Sequence, residues 1–280
     1  GALSLTKDGT IAIGWQGIQV AVVKRGRDWL SPKVALDAAL MHLPPQVRDP
    51  VQARLALWLG DMVKRKLAPL HTLCMLRDAP ETPAPIRALT AEIIGAGGVA
   101  PRASVEATLE TLDGAARHRL RACGLVIGSL DLFHALLLKP EATRWRLALF
   151  AAYRGEAMPP LPMAGLGLLD QPSPELAVAA RLAGFHHFGD QMLRVDLVER
   201  IARALHDQRK GVAAFTPDLQ LATSLGIGTV TLTRILRALG FVSVAKAQWR
   251  WRGRYKRAST VSTPESTAFA ALKSWKSGGS

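Results

Sequence analysis

The segment Gln248-Trp249-Arg250-Trp251-Arg252-Gly253-Arg254-Tyr255-Lys256-Arg257 alternates aromatic and basic side chains. Only an extended strand sorts a period of two into two faces. In such a strand Trp249, Trp251 and Tyr255 share one side, and Arg250, Arg252, Arg254 and Lys256 share the other. One face can pack on a core while the other meets phosphate. The surroundings reinforce this division. Between Leu219 and Pro264 there is no Asp or Glu, whereas Arg234, Arg237, Lys246, Arg250, Arg252, Arg254, Lys256 and Arg257 supply eight positive charges to a chain of formal net charge +14. Solubilising surfaces intersperse both signs, so a long acid-free basic stretch reads as the footprint of a polyanion.

The residues before the strand give it a context. Asp196 to Gln208 has Leu197, Ile201, Ala204 and Leu205 on one helical face. A second helix, capped by Thr216 with Pro217 in its first turn, reaches Leu225, and Gly226 ends it. A third, from about Thr229 to Leu239, puts Leu232, Ile235, Leu236 and Leu239 inside and Thr229, Thr233, Arg234 and Arg237 outside. Gly240 closes that helix, and strands follow at Phe241 to Val244 and Gln248 to Tyr255. Three helices, a glycine turn and a hairpin, in that order, predict a winged helix-turn-helix over 191–258. The segment lacks Asn and is poor in Gln, the residues that read adenine edges. Backbone or single-strand binding is therefore expected, with Trp249 and Trp251 packing the wing and Tyr255 offering a stacking platform.

The rest of the 280 residues form a larger support. Leu3 to Leu5, Thr10 to Trp15 and Ile18 to Val23 read as a small antiparallel meander over 1–30, with Lys7-Asp8-Gly9 as a hairpin turn. A helical domain is expected over 31–157, with helices at Pro32 to Leu40, Pro45 to Lys66, Leu70 to Leu76, Ile86 to Ile94, Ser104 to Leu120 and Glu141 to Tyr153, divided by prolines. A proline- and glycine-rich connector with one short helix, Glu175 to Ala183, follows over 158–190, and 259–280 reads as a flexible tail. The fold class is thus mainly α, with a small N-terminal β-meander, a helical middle and a C-terminal winged helix. No repeat of fixed period is apparent. No apolar run reaches the roughly 20 residues that span a bilayer, so no membrane partner is expected. Cys74 and Cys123 are isolated, which fits a reducing cytoplasm and buried apolar roles.

Gly124-Leu125-Val126-Ile127-Gly128, Leu132-Phe133, Leu136-Leu137-Leu138-Lys139-Pro140-Glu141-Ala142 and Arg144-Trp145-Arg146 resemble a signature in the C-terminal region of bacterial DExH-box helicases related to the mitochondrial degradosome helicase. Pro159-Pro160-Leu161-Pro162 with Gly165, Ala183-Gly184-Phe185, Arg194-Val195-Asp196, Leu221-Ala222 to Gly240-Phe241, the Asp8-Gly9 meander and the tail Ser266 to Leu272 agree in order. The resemblance implies an ATP-driven motor that moves along RNA or DNA, with ATP and Mg²⁺ bound upstream of this chain. It carries over no catalytic residue. The chain has neither G-x-x-x-x-G-K-[ST] nor a DExH box, and Gly95-Ala96-Gly97-Gly98 lacks the following Lys and Ser/Thr, so it reads as a flexible helix terminus.

The expected role is a nucleic-acid-binding accessory region, without ATPase activity or a cofactor of its own, that grips or guides a strand for the upstream helicase core. The contact residues would be Arg234, Arg237, Lys246, Arg250, Arg252, Arg254, Tyr255, Lys256 and Arg257. Two other classes stay open: an adaptor that docks a nuclease or other protein through the helical block or the Phe269, Leu272, Trp275 tail, and a winged-helix transcription regulator. Other chemistry is thin. His186-His187, placed on a helix, would diverge rather than ligate a metal. Asp131 has no catalytic partner nearby in sequence, and of Arg144 and Arg146 at least one is expected to bond a carbonyl or carboxylate.

Overall fold

The computed structural model describes residues 2–5, 11–16, 18–209, 211–218, 220–245 and 247–253. Lys246, Arg254, Tyr255, Lys256, Arg257 and the expected tail lie outside these residues. The chain opens with an antiparallel meander of β1 (Ala2–Leu5), β2 (Ile11–Trp15), β3 (Ile18–Lys24) and β4 (Lys33–Leu36), paired in chain order. The fourth strand corrects the helix expected from Pro32 to Leu40. Val34 and Leu36 are buried while Lys33 is exposed, a period of two that seats the segment on the edge of β3 with Lys24 opposite Lys33 and Ala21 opposite Leu36. Pairing satisfies the backbone groups of that edge, and local helical spacing yields to it. Only Ala38–Leu40 turns, as a single 3₁₀ turn whose Ala39 N–H is accepted by the Asp37 carboxylate at 3.1 Å.

Helices α1 (Pro45–Lys66), α2 (Ala68–Asp78) and α3 (Ala84–Gly95) each carry a proline in the first turn, where its missing N–H costs nothing. Then come β5 (Val99–Pro101), α4 (Arg102–Glu110), α5 (Gly114–Ala122), β6 (Leu125–Ile127), β7 (Asp131–His134) and α6 (Pro140–Arg154). The block expected from Ser104 to Leu120 is two helices, because the Asp113 carboxylate accepts the Ala116 N–H at 2.7 Å and starts α5 afresh. Helix α6 runs through the main core, burying Trp145, Leu149 and Phe150 among others. Trp29 fastens the meander to it, stacking on Phe150 with ring centroids 4.3 Å apart and donating its indole N–H to the Ile94 carbonyl at 3.1 Å.

The second half contains β8 (Leu168–Asp170), α7 (Pro174–Ala183), β9 (Phe185–Phe188), β10 (Gln191–Arg194), α8 (Val195–Arg209), α9 (Gln220–Ser224), α10 (Thr229–Ala238), β11 (Phe241–Ala245) and β12 (Gln248–Trp251). The region 158–190, read from sequence as connector, supplies two of these strands, and its boundary falls inside the β9–β10 hairpin. His186 and His187 accordingly lie on a strand rather than a helix.

Three units now share one plan that the sequence period did not show. In the first two, an upstream strand precedes a helix, the helix ends at a glycine of positive φ, and a hairpin follows whose second strand pairs with the upstream strand; the sheet orders are β5-β7-β6 and β8-β10-β9. In the last unit the sheet is β11-β12 alone, and a single bridge from Phe215 to Trp249 of β12 stands where the others have a strand. The glycines are Gly124, Gly184 and Gly240. The insertions between strand and helix differ, α4 in the first and α9 in the third, so no fixed period survives.

Each of the first two hairpins grips the third unit. At the β6–β7 turn, the Ser129 N–H is accepted by Glu199 of α8 at 2.7 Å, and Leu130 packs on the core of that unit. At the β9–β10 turn, Gln191 spans the α9–α10 corner: its amide accepts the Gly228 N–H at 3.2 Å and donates to the Gly226 carbonyl at 3.3 Å.

Arg146, 1% exposed, ties the first two units together. One terminal nitrogen donates to the carbonyls of Gly97 and Leu182, both at 2.9 Å; the other donates to Leu137 at 2.8 Å and Ala183 at 3.4 Å. Burial pulls its pKa down to about 10, and it remains charged at neutral pH. Arg146→Met would leave several dry carbonyls without a donor, each costing about 1–3 kcal/mol. Denaturant unfolding of this variant should show a loss of about 3 kcal/mol or more; a change below about 0.5 kcal/mol, the scale of free surface positions, would remove the cage from its structural role.

Candidate nucleic-acid interface

The last unit is built on a strongly one-sided α8, which buries Leu197, Val198, Ile201, Ala202 and Leu205. Against it pack Leu232, Ile235 and Leu236 of α10, followed by Leu239 and Phe241. These are the positions that helical spacing assigns to the inside. The second helix is shorter than expected: α9 begins only at Gln220, because Phe215 is held extended by paired bonds with Trp249, each N–H to the other's carbonyl at 2.9 Å.

The β11–β12 hairpin sorts its faces as the alternation predicts. Trp249 is buried beside Phe215 and Phe241, and Trp251 is half-buried. The Trp251 indole donates to the Leu239 carbonyl at 3.2 Å, and the Arg209 guanidinium lies 4.7 Å from its ring centroid. Both tryptophans therefore hold the hairpin to α8 and α10. Arg250 and Arg252 point the other way and are exposed, with no side-chain partner among the described residues. The turn joining these strands contains Lys246, outside the described residues.

On α10 the two expected contacts differ. Arg237 is exposed with no side-chain partner among the described residues. Arg234 folds back on the preceding unit and donates to the Phe188 carbonyl at 3.1 Å. Gly189 takes a φ of 76°, which favours glycine, and a Cβ there would displace the same guanidinium. Arg234 thus serves as a clasp between α10 and the β9–β10 hairpin. Thr233 bonds the Thr229 carbonyl within its own helix at 2.9 Å.

Sequence spacing could not bring together Asp131 and His186. The buried Asp131 carboxylate meets His186 Nδ1 at 2.9 Å, and the imidazole stacks on Phe188 with centroids 4.7 Å apart. This contact ties β7 to β9. His187, next along the strand, is exposed. Among the described residues no group of three or more His, Cys, Asp or Glu side chains converges on a metal position. Cys74 and Cys123 are half-buried and unpaired, and burial pushes the Cys74 thiol up.

The glycine stretch after α3 is packed, not the flexible terminus expected. Phe150 lies where a Cβ on Gly97 would sit, Leu137 where one on Gly98 would, and the Gly97 carbonyl is taken by Arg146. Among the described residues no helix is long and apolar enough to cross a membrane. No family model, curated protein or solved structure matches the chain.

Three truncations separate structural from free side chains. Trp249→Ala should cost about 3–5 kcal/mol, as other large aromatic truncations in cores do. Arg234→Ala should cost about 1–2 kcal/mol through its lost charged bond, and Arg237→Ala less than about 0.5 kcal/mol, as free surface positions do. Equal melting losses for the two arginine variants would refute the distinction.

Proposed function

We propose that the unit from α8 to β12 is a winged helix-turn-helix that grips the phosphate backbone of RNA or DNA. The chain then serves as an accessory region that guides a strand for an ATP-dependent helicase core carried outside it. One observation carries the binding reading: the hairpin commits its tryptophan face to the core and leaves Arg250 and Arg252 exposed on the other face. A single bridge lays Phe215 along β12 in support of this reading, and the acid-free sequence around it favours a positive local field. Arg237 adds a cation on the third helix. Lys246, Arg254, Tyr255, Lys256 and Arg257 extend the basic set in sequence. The helicase part rests on the resemblance of the Gly124 to Arg146 segment and the pieces downstream of it. ATP and Mg²⁺ belong to that core in this reading, and the chain by itself turns over no ATP.

A second reading, a protein-docking adaptor, draws on the tip of the β2–β3 hairpin, where Trp15 is 56% and Ile18 69% exposed.

Binding of a labelled single-stranded 30-mer, followed by anisotropy across a salt series, tests the first reading. Each phosphate contact contributes a slope of about −0.7 in log affinity against log salt for single strands. Charge reversal of Arg250 and Arg252 together should flatten the slope by about 1.4 and weaken binding at least about tenfold while leaving the melt nearly unchanged. Absent affinity, or affinity untouched by the reversal, would favour the adaptor.

A further inference from the structure

The repeated units share more than topology. Aligned on their glycines, they read Leu120-Arg121-Ala122-Cys123-Gly124-Leu125, Ala180-Arg181-Leu182-Ala183-Gly184-Phe185 and Leu236-Arg237-Ala238-Leu239-Gly240-Phe241. The residue before the arginine is buried in each case, and so is the residue after the glycine. The glycine N–H bonds the arginine carbonyl at 2.8, 3.1 and 3.0 Å respectively. The apolar positions and the glycine are explained by packing and by the chain reversal. The arginine is not, since all three are exposed and none has a side-chain partner among the described residues.

Several other arginines of this protein bond within it. Arg102 bonds Glu106 and the Gly128 carbonyl, Arg194 bonds Asp196, Arg234 bonds Phe188, and Arg146 sits in its cage. A cation in the last helical turn gains from the helix dipole, but Lys or His would gain equally. A guanidinium at one position of three like scaffolds is suited to a ligand with recurring charge, because its fork matches phosphate oxygens in two bonds.

We propose that Arg121 and Arg181 are further phosphate contacts, so that the first and second units hold the same nucleic-acid strand as the third. This rests on the nucleic-acid reading of the wing. The face of α5 supports it: His118 lies beside Arg121 among its exposed residues, and the helix contains no acid. The ligand is a polyphosphate backbone of either sugar.

The test measures the variant Arg121→Gln/Arg181→Gln, with the wing and α10 intact, against labelled oligo-uridine and oligo-thymidine 30-mers across the same salt series. The salt slope should flatten by about 1.4, from two lost contacts. Affinity should fall about tenfold, to a similar degree for both polymers, with an unchanged melt. Arg121→Lys/Arg181→Lys should recover the salt slope because the charge returns, and only part of the affinity because the two-bond fork does not. If wild type binds and charge reversal at Arg250 and Arg252 weakens it, yet the glutamine variant keeps its affinity and slope, this inference fails and the wing reading stands. If wild type binds neither polymer, both fail. A glutamine loss that lysine does not restore, accompanied by a lower melt, would make the arginines structural and overturn the proposal.

Discussion

A guanidinium with no carboxylate beside it holds the middle of this molecule together. Arg146 reaches the Gly97 carbonyl beyond α3, Leu182 and Ala183 at the end of α7, and Leu137 in the 3₁₀ turn before α6. Helix C-termini gather partial negative charge and unbonded carbonyls, and two of them are aimed at one point. A carboxylate partner is unnecessary there because the chain ends supply the counter-charge as dipoles. The arrangement has a geometric result. Strand β5 follows shortly after the end of α3, and β9 starts just after α7, so fixing the two helix ends fixes the first two sheets against α6.

That cage accounts for a division among the arginines. Buried or half-buried ones, such as Arg102 and Arg194, spend their donors on carbonyls and nearby carboxylates, and their charge is matched where it stands. Those on the hairpin face of β12 and at the ends of α5, α7 and α10 are exposed and have no side-chain partner among the described residues.

Much of the last unit was legible in advance because its signals are local. The spacing of Leu232, Ile235, Leu236 and Leu239 fixes the inner face of α10, and the Trp249 and Trp251 alternation fixes the faces of β12. Strand β4 was not legible, since its pattern Lys33-Val34-Ala35-Leu36 is short and the free edge of β3 that recruits it is a tertiary fact. The same holds for the clasp of Arg234, which helical spacing places outside without saying that another hairpin lies there. The threefold plan escaped because α4 and α9 interrupt it unevenly, and because a strand of three residues leaves almost no pattern. The recurrence of Arg-x-x-Gly followed by Leu or Phe is the signal that could have exposed it. Asp131 and His186 meet only because β7 and β9 come together, and no spacing in the chain encodes that.

The interlocked hairpins bear on the order in which the protein is made. Domains emerge from the ribosome from the N-terminus and fold as units, yet the core of the last unit here includes Phe188, with Leu130 and Leu168 packed against it, supplied by the two earlier hairpins and by β8. When α10 appears, its landing site already exists, with Gln191 ready for the corner and Gly189 open for Arg234. Late residues thus condense on a template rather than search for one, and the exposed lifetime of Leu232, Ile235 and Leu236 shortens accordingly. A polypeptide begun at α8 would have to form the same core without that template.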